Sequence, residues 1–350
     1  MTHFPLRLRL DGAALVANWR WLARRSAGAA CGAAVKANGY GTGAAPVVER
    51  LLAAGCRDFF VSTWNEADGL PGLLGDGPGG PALSVLHGVQ EGDMARALAS
   101  PARPVLNTPL QVRRWREAAG GRPCDVMLDT GMNRLGISGE DVAAGLLDGL
   151  AIETVLSHLA CADEDTDMNA RQRERFAALS AAVPARRRSL ANSAGICLGD
   201  AYCFDLTRPG LALYGGIPRP EAAGQIRPVV EVQAQIVQRR RVEAGGAIGY
   251  NATYVADRPI EVAILNIGYA DGYLRGFSDR GRARAGEAVL PVLGRVSMDL
   301  TAIGVDAAPA LAEGDWVTLD YDLPAAAAQS GLSQYELLTG LGDRHERLWT

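Results

Sequence analysis

The sequence has almost no lysine. Its 350 residues include 35 Lys plus Arg, of which Lys36 is the single lysine. Arginine serves as a surface cation, but its guanidinium is not usefully deprotonated and cannot form an imine. Lysine can form one once burial and neighbouring charges lower its pKa. A lone lysine is ordinarily an exposed residue at the end of a strand. In a chain that uses arginine everywhere else, Lys36 also becomes a candidate Schiff-base residue.

Other features are missing as well. No window approaches the roughly 18 apolar residues that span a bilayer. The opening MTHFPLRLRLDG lacks the apolar stretch of a signal peptide, so we expect a cytoplasmic protein with no membrane contact. The six cysteines form no CxxC pair and are interpreted as small buried hydrophobes in a reducing compartment. The four histidines are scattered without ligand spacing, which predicts no metal site.

The charge pattern does not favour a nucleic-acid partner. The net charge is -4, and the basic residues are dispersed along the chain. Two short arginine runs, 186–188 and 239–241, are interpreted as solvated surface. We therefore expect a small-molecule substrate and no nucleic acid.

Short apolar runs alternate with helical stretches from residue 31 to about 213. The runs are 31–36, 58–62, 82–88, 104–107, 125–130, 152–160, 188–193 and 204–215. Between them, apolar residues recur at three- and four-residue spacing, as amphipathic helices require. Eight strands alternating with helices predict a parallel (β/α)8 TIM barrel, with an open doubly wound sheet as the alternative. The connection at 64–81 is rich in Gly and Pro, which weakens its helix.

The composition changes after Tyr214. A proline-rich linker is followed by strand-like runs, with little helix until SQYELLTGLG. The fold class predicted is therefore α/β plus all-β: a barrel at 10–218 and a C-terminal β-domain at 226–350. The alternating segment 4–11 has the same character as the second domain, so we expect residues 1–9 to join its sheet.

Several chemically capable side chains lie in or just after the carboxyl-terminal parts of the predicted strands. They are Tyr40, Arg134, His158, Asn192, Ser193 and Arg208. Each has a plain alternative: TGMNRLG as a turn, His158 as a core histidine, Arg208 in a structural ion pair. In a barrel, however, the carboxyl ends of the strands carry the chemistry, and the loops after strands seven and eight commonly bind phosphate. A lysine for an imine beside a phosphate cradle indicates pyridoxal phosphate.

Nine segments carry a resemblance that covers nearly the whole chain. The most specific are AVKANGYGTG (34–43) and GRVSMD (294–299), in this order. The others are LDTGMNRLG (128–136), LSHLACADE (156–164), ANSAG (191–195), TRPGLALYG (207–215), IGYNATYVA (248–256), IGYADGY (267–273) and YELLTGLGDR (335–344). On these segments the sequence resembles the alanine racemases, fold-type III pyridoxal phosphate enzymes. That family has an N-terminal (β/α)8 barrel and a C-terminal β-domain, and works as a homodimer.

The resemblance implies two acid/base groups, because racemisation removes a proton from one face of the α-carbon and returns it on the other. Lys36 would bind the cofactor as an imine and act as one of the two. Tyr254 would be the second and would come from the partner subunit, so that the homodimer shares its active sites. The implied activity is interconversion of L-alanine and D-alanine, which would supply D-alanine for cell-wall peptidoglycan.

The resemblance also assigns cofactor and substrate contacts. The reference pKa of tyrosine is about 10, so Arg208 and His158 would assist Tyr254 as a base. Arg208 would also hydrogen-bond the pyridine nitrogen and keep it unprotonated, which limits side reactions. The implied phosphate ligands are Tyr40, Ser193 and the backbone of Gly210 and Leu211. The implied substrate contacts are Arg134 and the Met298 N–H, with Tyr269 narrowing the entrance and Asp163, Arg275 and Arg295 lining it.

Two positions depart from the family pattern. Met127 stands where many members have a carbamylated lysine that braces the arginine matching Arg134. Arg134 would then be held by another carboxylate or an anion such as chloride, or be less constrained. Asp343 stands where a family tyrosine helps to bind phosphate or lines the entrance.

Three other functions stay open. The first is a racemase for serine, lysine or a broad range of amino acids, although the lack of an export signal favours alanine. The second is a non-catalytic pyridoxal phosphate carrier, but those proteins lack the β-domain. The third is a related decarboxylase, which needs no proton donor on the opposite face, so Tyr254 argues against it.

Overall fold

The computed structural model describes Phe4–Leu70 and Gly80–Thr350. These residues divide into two compact units. The described residues of Leu15–Leu213 and Ile217–Arg227 form one, which we call the barrel unit. Those of Met1–Ala14, Tyr214–Gly216 and Pro228–Thr350 form the other, which we call the β unit.

Strands and helices alternate through the first two thirds of the chain. In order they are β1 Leu6–Leu10, α1 Gly12–Arg25, β2 Ala30–Cys31, β3 Ala33–Ala34, α2 Lys36–Tyr40, α3 Ala44–Ala54, β4 Asp58–Val61, α4 Trp64–Asp68, β5 Ala82–Val85, α5 Met94–Ala99, β6 Arg103–Leu106, α6 Pro109–Ala118, β7 Cys124–Met127, α7 Gly139–Ala143, β8 Ile152–Leu156, α8 Asp167–Ala181, β9 Arg187–Ser189, α9 Ser193–Cys197 and β10 Leu206–Thr207. The doubtful connection at 64–81 contains α4, and its residues 71–79 lie outside the described residues.

The parallel strands of the barrel unit close into a ring. Strands β3 to β9 pair in chain order, and β10 pairs with β2. The ring closes through backbone bonds from Ala34 N to Pro209 O (2.8 Å) and from Arg208 N to Ala191 O (2.8 Å). With β2 and β3 counted as one strand interrupted at Gly32, the described residues contain the eight strands of a (β/α)8 barrel. The predicted barrel is confirmed, and the open sheet is wrong.

The barrel strands carry mainly apolar side chains because they are covered on both faces. β4 and β7 are buried at every position, as is typical of parallel strands. One cluster gathers residues from five strands: Phe60, Val105, Met127, Leu156 and Leu206. Within the described ranges, no helix is long and apolar enough to cross a membrane.

The β unit is built on a mixed sheet. Its remaining elements are β11 Val230–Val242, β12 Ala247–Ile248, β13 Tyr254–Val255, β14 Ile260–Leu265, β15 Arg282–Ala285, β16 Ala288–Pro291, β17 Thr301–Gly304, β18 Trp316–Leu319, α10 Leu323–Ser330, α11 Gln334–Thr339 and β19 Glu346–Trp349. The strand order is β16-β15-β18-β11-β1-β19, and β14 pairs with both β11 and β17. The N-terminal strand β1 lies antiparallel to β11 and parallel to β19. The sequence predicted little helix before SQYELLTGLG, but α10 lies N-terminal to that segment. The Asp322 side chain caps α10 by accepting the Ala325 N–H.

Candidate active site

Five of the predicted site residues follow the carboxyl ends of barrel strands. Lys36 lies just after β3, and His158 just after β8. Arg134 lies in the loop after β7, Ser193 begins α9 after β9, and Arg208 directly follows β10. Because the strands are parallel and the ring is closed, these ends share one face of the barrel. The fold therefore brings them to a common mouth.

Lys36 begins a turn of left-handed backbone, α2. Ala37, Asn38 and Tyr40 have φ of 53°, 52° and 52°, a conformation that costs an L-residue about 1–2 kcal/mol. The turn is held by bonds from Gly39 N to Val35 O (2.8 Å) and from Gly41 N to Ala37 O (2.9 Å). The strand predicted at 31–36 ends earlier, at Ala34, because this turn begins.

The surroundings of Lys36 favour its neutral amine. Burial lowers the pKa of Lys36, and the guanidinium groups of Arg134 and Arg208 lower it further, while Glu66 raises it. A lowered pKa leaves a larger fraction of the residue as the amine, the form that attacks a carbonyl.

Tyr40, Ser193 and Gly210 meet at one point of the barrel mouth. A Cβ on Gly210 would be 2.2 Å from the Tyr40 phenol oxygen, so residue 210 has room only for hydrogen. The Ser193 Oγ accepts hydrogen bonds from the N–H of Gly210 (2.9 Å) and of Ala212 (3.3 Å), which leaves its O–H to donate. Leu211, the fourth predicted phosphate ligand, lies between Gly210 and Ala212 in the chain and is buried. The predicted phosphate ligands are thus brought together.

Arg208 is buried and held by neutral groups. Its Nη1 donates to Ser189 Oγ (2.5 Å) and its Nη2 to the Ser157 carbonyl (2.6 Å). Among the residues that the structure describes, it forms no ion pair, contrary to the alternative interpretation of Arg208 as half of a structural pair. Burial lowers the pKa of Arg208 to about 10, so the side chain remains a cation at neutral pH.

His158 is neutral in these surroundings. Burial lowers the pKa of His158 to about 3, with contributions from Arg208, Arg134 and Lys36. The site therefore gathers the guanidinium groups of Arg134 and Arg208 and the Lys36 amine around an uncharged imidazole, a composition suited to anionic ligands such as a phosphate and a carboxylate.

Gln172 of helix α8 is a buried contributor that the sequence reasoning missed. Its Nε2 donates to Thr130 Oγ1 (3.2 Å) and to His158 O (3.0 Å), and its Oε1 accepts the Ala160 N–H (2.8 Å). It thereby joins the loop that leads to Arg134 to the loop that carries His158. The one available signal was its position four residues before Phe176, on the buried face of the helix.

Arg134 lies exposed on a loop of defined shape. The Asp129 Oδ1 accepts the N–H groups of Gly131 (2.9 Å) and Asn133 (3.1 Å), which folds the loop back on itself. Met127, where many relatives have the bracing lysine, packs in the apolar cluster and offers no charge. No carboxylate in the described part of the chain forms an ion pair with Arg134.

The β unit holds the other predicted residues. Tyr254 is half-buried at the start of β13 and packs on a cluster that includes Ile248 and Leu293. The guanidinium of Arg275 lies 5.1 Å from the ring centroid of Tyr269. The Tyr269 N–H donates to the carbonyl of Ser297 (3.0 Å), the residue before Met298.

Met298 lies on a tight turn next to Tyr269 and Arg275. Its side chain is 53% exposed, and its carbonyl accepts the Ala270 N–H at 3.0 Å. A Cβ on Gly268 would lie 2.4 Å from the carbonyl oxygens of Ser297 and Met298, so the close approach requires glycine. Tyr269, Arg275 and Met298 therefore form one corner of the β unit.

Three further residues named from the sequence are exposed. They are Asp163 in the barrel unit and Arg295 and Asp343 in the β unit. Within the described ranges, no group of three or more His, Cys, Asp or Glu side chains is placed to hold a metal ion.

The residues of the barrel unit fit pyridoxal phosphate. The glycine-lined cradle at Tyr40 and Gly210 suits a phosphate. Lys36 is a half-buried amine with a lowered pKa, and Arg208 provides a buried guanidinium that acts on its charge. This donor set matches a group that carries an aldehyde, a pyridine nitrogen and a phosphate.

Comparisons with known proteins agree with this fit. The family model for the alanine racemase N-terminal domain matches residues 10–218, and that for the alanine racemase C-terminal domain matches residues 229–349. A protein from Acidiphilium cryptum (strain JF-5) named alanine racemase is 45% identical over 355 residues, with 97% of this chain and 98% of that protein covered. One from Mesorhizobium japonicum named alanine racemase, catabolic, is 42% identical, with 97% and 92% covered. The crystal structure of alanine racemase from Bartonella henselae with covalently bound pyridoxal phosphate superposes with a TM-score of 0.91 at 32% identity, covering 100% of both chains.

Proposed function

This chain belongs to the alanine racemase family, and we propose that it interconverts L-alanine and D-alanine with pyridoxal 5'-phosphate, using Lys36 and Tyr254 as its two proton-handling residues. The family resemblance stated from the nine sequence segments is confirmed. The roles of individual residues form the proposal that follows.

Lys36, Tyr40, His158, Ser193, Arg208, Gly210 and Leu211 would hold the cofactor. When bound, the cofactor supplies an electron sink that acidifies the α-carbon of the amino acid. Ser193 would donate its O–H, and Tyr40 its phenol O–H, to the phosphate. Arg208 would donate to the pyridine nitrogen. Because Arg208 is a cation at neutral pH and holds its proton, it would keep that nitrogen unprotonated.

Two groups on opposite faces of the α-carbon would move the proton. Lys36 acts on one face, and its lowered pKa suits an amine that both takes and returns a proton. Tyr254 acts on the other and comes from the partner subunit of a homodimer. Arg134, the Met298 N–H and Tyr269 would orient the substrate carboxylate and narrow the entrance.

The observation that carries the proposal is the convergence of the only lysine in the sequence with a glycine-lined phosphate cradle at one barrel mouth. A carrier protein would share that feature, but the β unit with its tyrosine favours an enzyme. We further propose that the product feeds peptidoglycan synthesis in the cytoplasm, in keeping with six cysteines that are all free.

Solvent-deuterium exchange over a panel of amino acids tests the proposal. The purified protein, loaded with cofactor, is incubated with single enantiomers of alanine, serine and lysine in D₂O. We expect exchange at the α-carbon of alanine to accompany formation of the other enantiomer. Exchange without inversion would reject a racemase, and faster inversion of serine or lysine would replace alanine as the substrate.

A further inference from the structure

The carboxylate of Glu66 in helix α4 accepts hydrogen bonds from two separate elements. It completes a capping box, in which Thr63 Oγ1 accepts the Glu66 N–H (3.3 Å). Its Oε2 accepts the N–H groups of Ser62 (2.6 Å) and Thr63 (3.4 Å) at the end of β4. One carboxylate oxygen is therefore committed to fixing the side chain at the start of its own helix.

The second oxygen reaches the neighbouring strand end. Glu66 Oε1 accepts the N–H of Ala37 at 2.7 Å. Ala37 directly follows Lys36 and is the first left-handed residue of α2. A single carboxylate therefore ties the left-handed turn to the corner between β4 and α4.

The turn needs such a contact because it is strained. Three of its residues are non-glycine residues in the left-handed region, and backbone of this kind persists only where the surroundings over-determine it. Lys36 begins the turn and Tyr40 ends it, so its shape fixes the amine and a predicted phosphate ligand together. A contact that holds the turn also holds both side chains.

The charge of Glu66 matters as well. Lys36 is faced by Arg134 from the loop after β7, Arg208 after β10, and the neutral His158 after β8. Glu66 is the one anion that acts on the charge of Lys36 within the described residues, and it opposes the two guanidinium groups.

We propose that Glu66 is a positioning residue for racemisation, whose carboxylate clamps the turn that carries Lys36 and Tyr40 and supplies the negative charge that faces the Lys36 amine. The inference rests on the proposed function, because it assigns Glu66 to the site in which Lys36 acts. Glu66 would act through the backbone groups that its carboxylate accepts from, at Ala37, Ser62 and Thr63.

The single lysine makes a direct test possible. In full-length protein labelled with ¹³Cε-lysine and freed of cofactor, the only labelled side chain is Lys36, so one NMR signal reports its titration. The variants are Glu66→Gln, which removes the charge and one of the two acceptors, and Glu66→Asp, which keeps the charge. The control is Glu49→Gln, an exposed carboxylate on α3.

We expect Glu66→Gln to lower the pKa of Lys36 by roughly half a unit to one unit, and to weaken cofactor binding about tenfold in equilibrium titrations. Glu66→Asp should restore most of the Lys36 titration, and Glu49→Gln should change neither measurement. Should Glu66→Gln fail to fold by circular dichroism, the folded Glu66→Asp variant decides the matter, because its shorter side chain keeps the charge but loses the reach to Ala37 N. Weaker cofactor binding than in wild type then supports the clamp, and wild-type affinity overturns it.

Two results would overturn the inference: an unchanged Lys36 titration in Glu66→Gln, or unchanged cofactor affinity in that variant. Both can occur while the wild-type protein still couples its cofactor to Lys36. Failure of the wild type to couple cofactor at all would instead reject the proposed function, so the two failures are distinguishable.

Discussion

The phenol oxygen of Tyr40 lies against the backbone of Gly210, so close that a Cβ on residue 210 would be only 2.2 Å away. The Ser193 Oγ approaches the N–H of the same glycine at 2.9 Å. Three loops, after the first, seventh and eighth barrel strands, therefore converge on one glycine. The phosphate cradle is lined by the Tyr40 phenol, the Ser193 hydroxyl and the backbone of Gly210.

Gly210→Ala should weaken cofactor binding. The added methyl must displace the Tyr40 ring or shift the backbone, and overpacking of this kind costs about 1–3 kcal/mol, or about 5- to 150-fold in Kd. Equilibrium binding of pyridoxal phosphate measures the effect. Gly92→Ala is the matched control, since a Cβ there meets no atom within 4 Å. Equal affinity of the Gly210→Ala and wild-type proteins would remove this cradle from the site.

Borohydride reduction of the loaded protein should attach the cofactor to Lys36. Because the sequence holds no other lysine, peptide mass spectrometry needs to find one modified position. Lys36→Arg keeps the positive charge but cannot form an imine, so it should show no adduct and no racemisation. Absence of an adduct on Lys36 in the wild type would reject the assignment.

Tyr254→Phe should slow racemisation by about 10²- to 10⁴-fold, the range typical of a lost general acid or base. The change removes one oxygen from a half-buried ring and leaves the packing on Ile248 and Leu293 intact. Cofactor absorbance and the adduct at Lys36 should persist. Polarimetry in both directions measures the rate, and wild-type rates in this variant would take Tyr254 out of the mechanism.

Mixed protomers should recover activity if the dimer shares its sites. A heterodimer of Lys36→Ala and Tyr254→Phe chains would contain one doubly defective site and one intact site. Since random pairing makes half the dimers mixed, about a quarter of wild-type activity is expected. Differently tagged chains allow the heterodimer to be purified. An inactive, verified heterodimer would mean that each chain uses its own Tyr254.

His158 should make the folded protein sensitive to acid. Its pKa is lowered to about 3 by burial and nearby cations, against about 6.5 in an unfolded chain. As pH falls through this window, the unfolded chain binds a proton that the folded chain does not. The free energy of unfolding therefore falls with falling pH. Urea unfolding is measured at about pH 7 and about pH 5, at one protein concentration. Between these pH values, His158→Gln should lose less free energy of unfolding than the wild type. An equal loss in the two proteins would contradict the neutral assignment.

The strands were predictable because parallel strands buried on both faces appear as continuous apolar runs. DFFVS contains the whole of β4, and DVMLDT contains three of the four residues of β7. The left-handed turn after β3 was not predictable in the same way. Gly39 and Gly41 tolerate positive φ, but Ala37 and Tyr40 carry a Cβ that disfavours it, and they adopt φ of 53° and 52°. Only the surrounding fold can impose that conformation.

Some side chains around the site were also predictable from the sequence, and others were not. Lys36 was noticeable because arginine is used everywhere else, and the rest followed from position at strand ends. Glu66 and Gln172 act through backbone groups of other loops, so nothing in the neighbouring sequence marks these contacts. The spacing of Thr63 and Glu66 is typical of a helix start, but it does not indicate the bond to Ala37. Contacts between distant segments become visible only in three dimensions.

The seam between the first and last barrel strands has a consequence for assembly of the site. The bond from Ala34 N to Pro209 O sets which residue of one strand lies opposite which residue of the other, and Lys36 and Arg208 extend from that seam. A chain that closed its ring two residues out of alignment would keep every strand, yet the amine and the guanidinium would move apart by roughly 7 Å along the strand direction. The register of this seam thus decides whether the amine and the guanidinium meet at one mouth of the barrel.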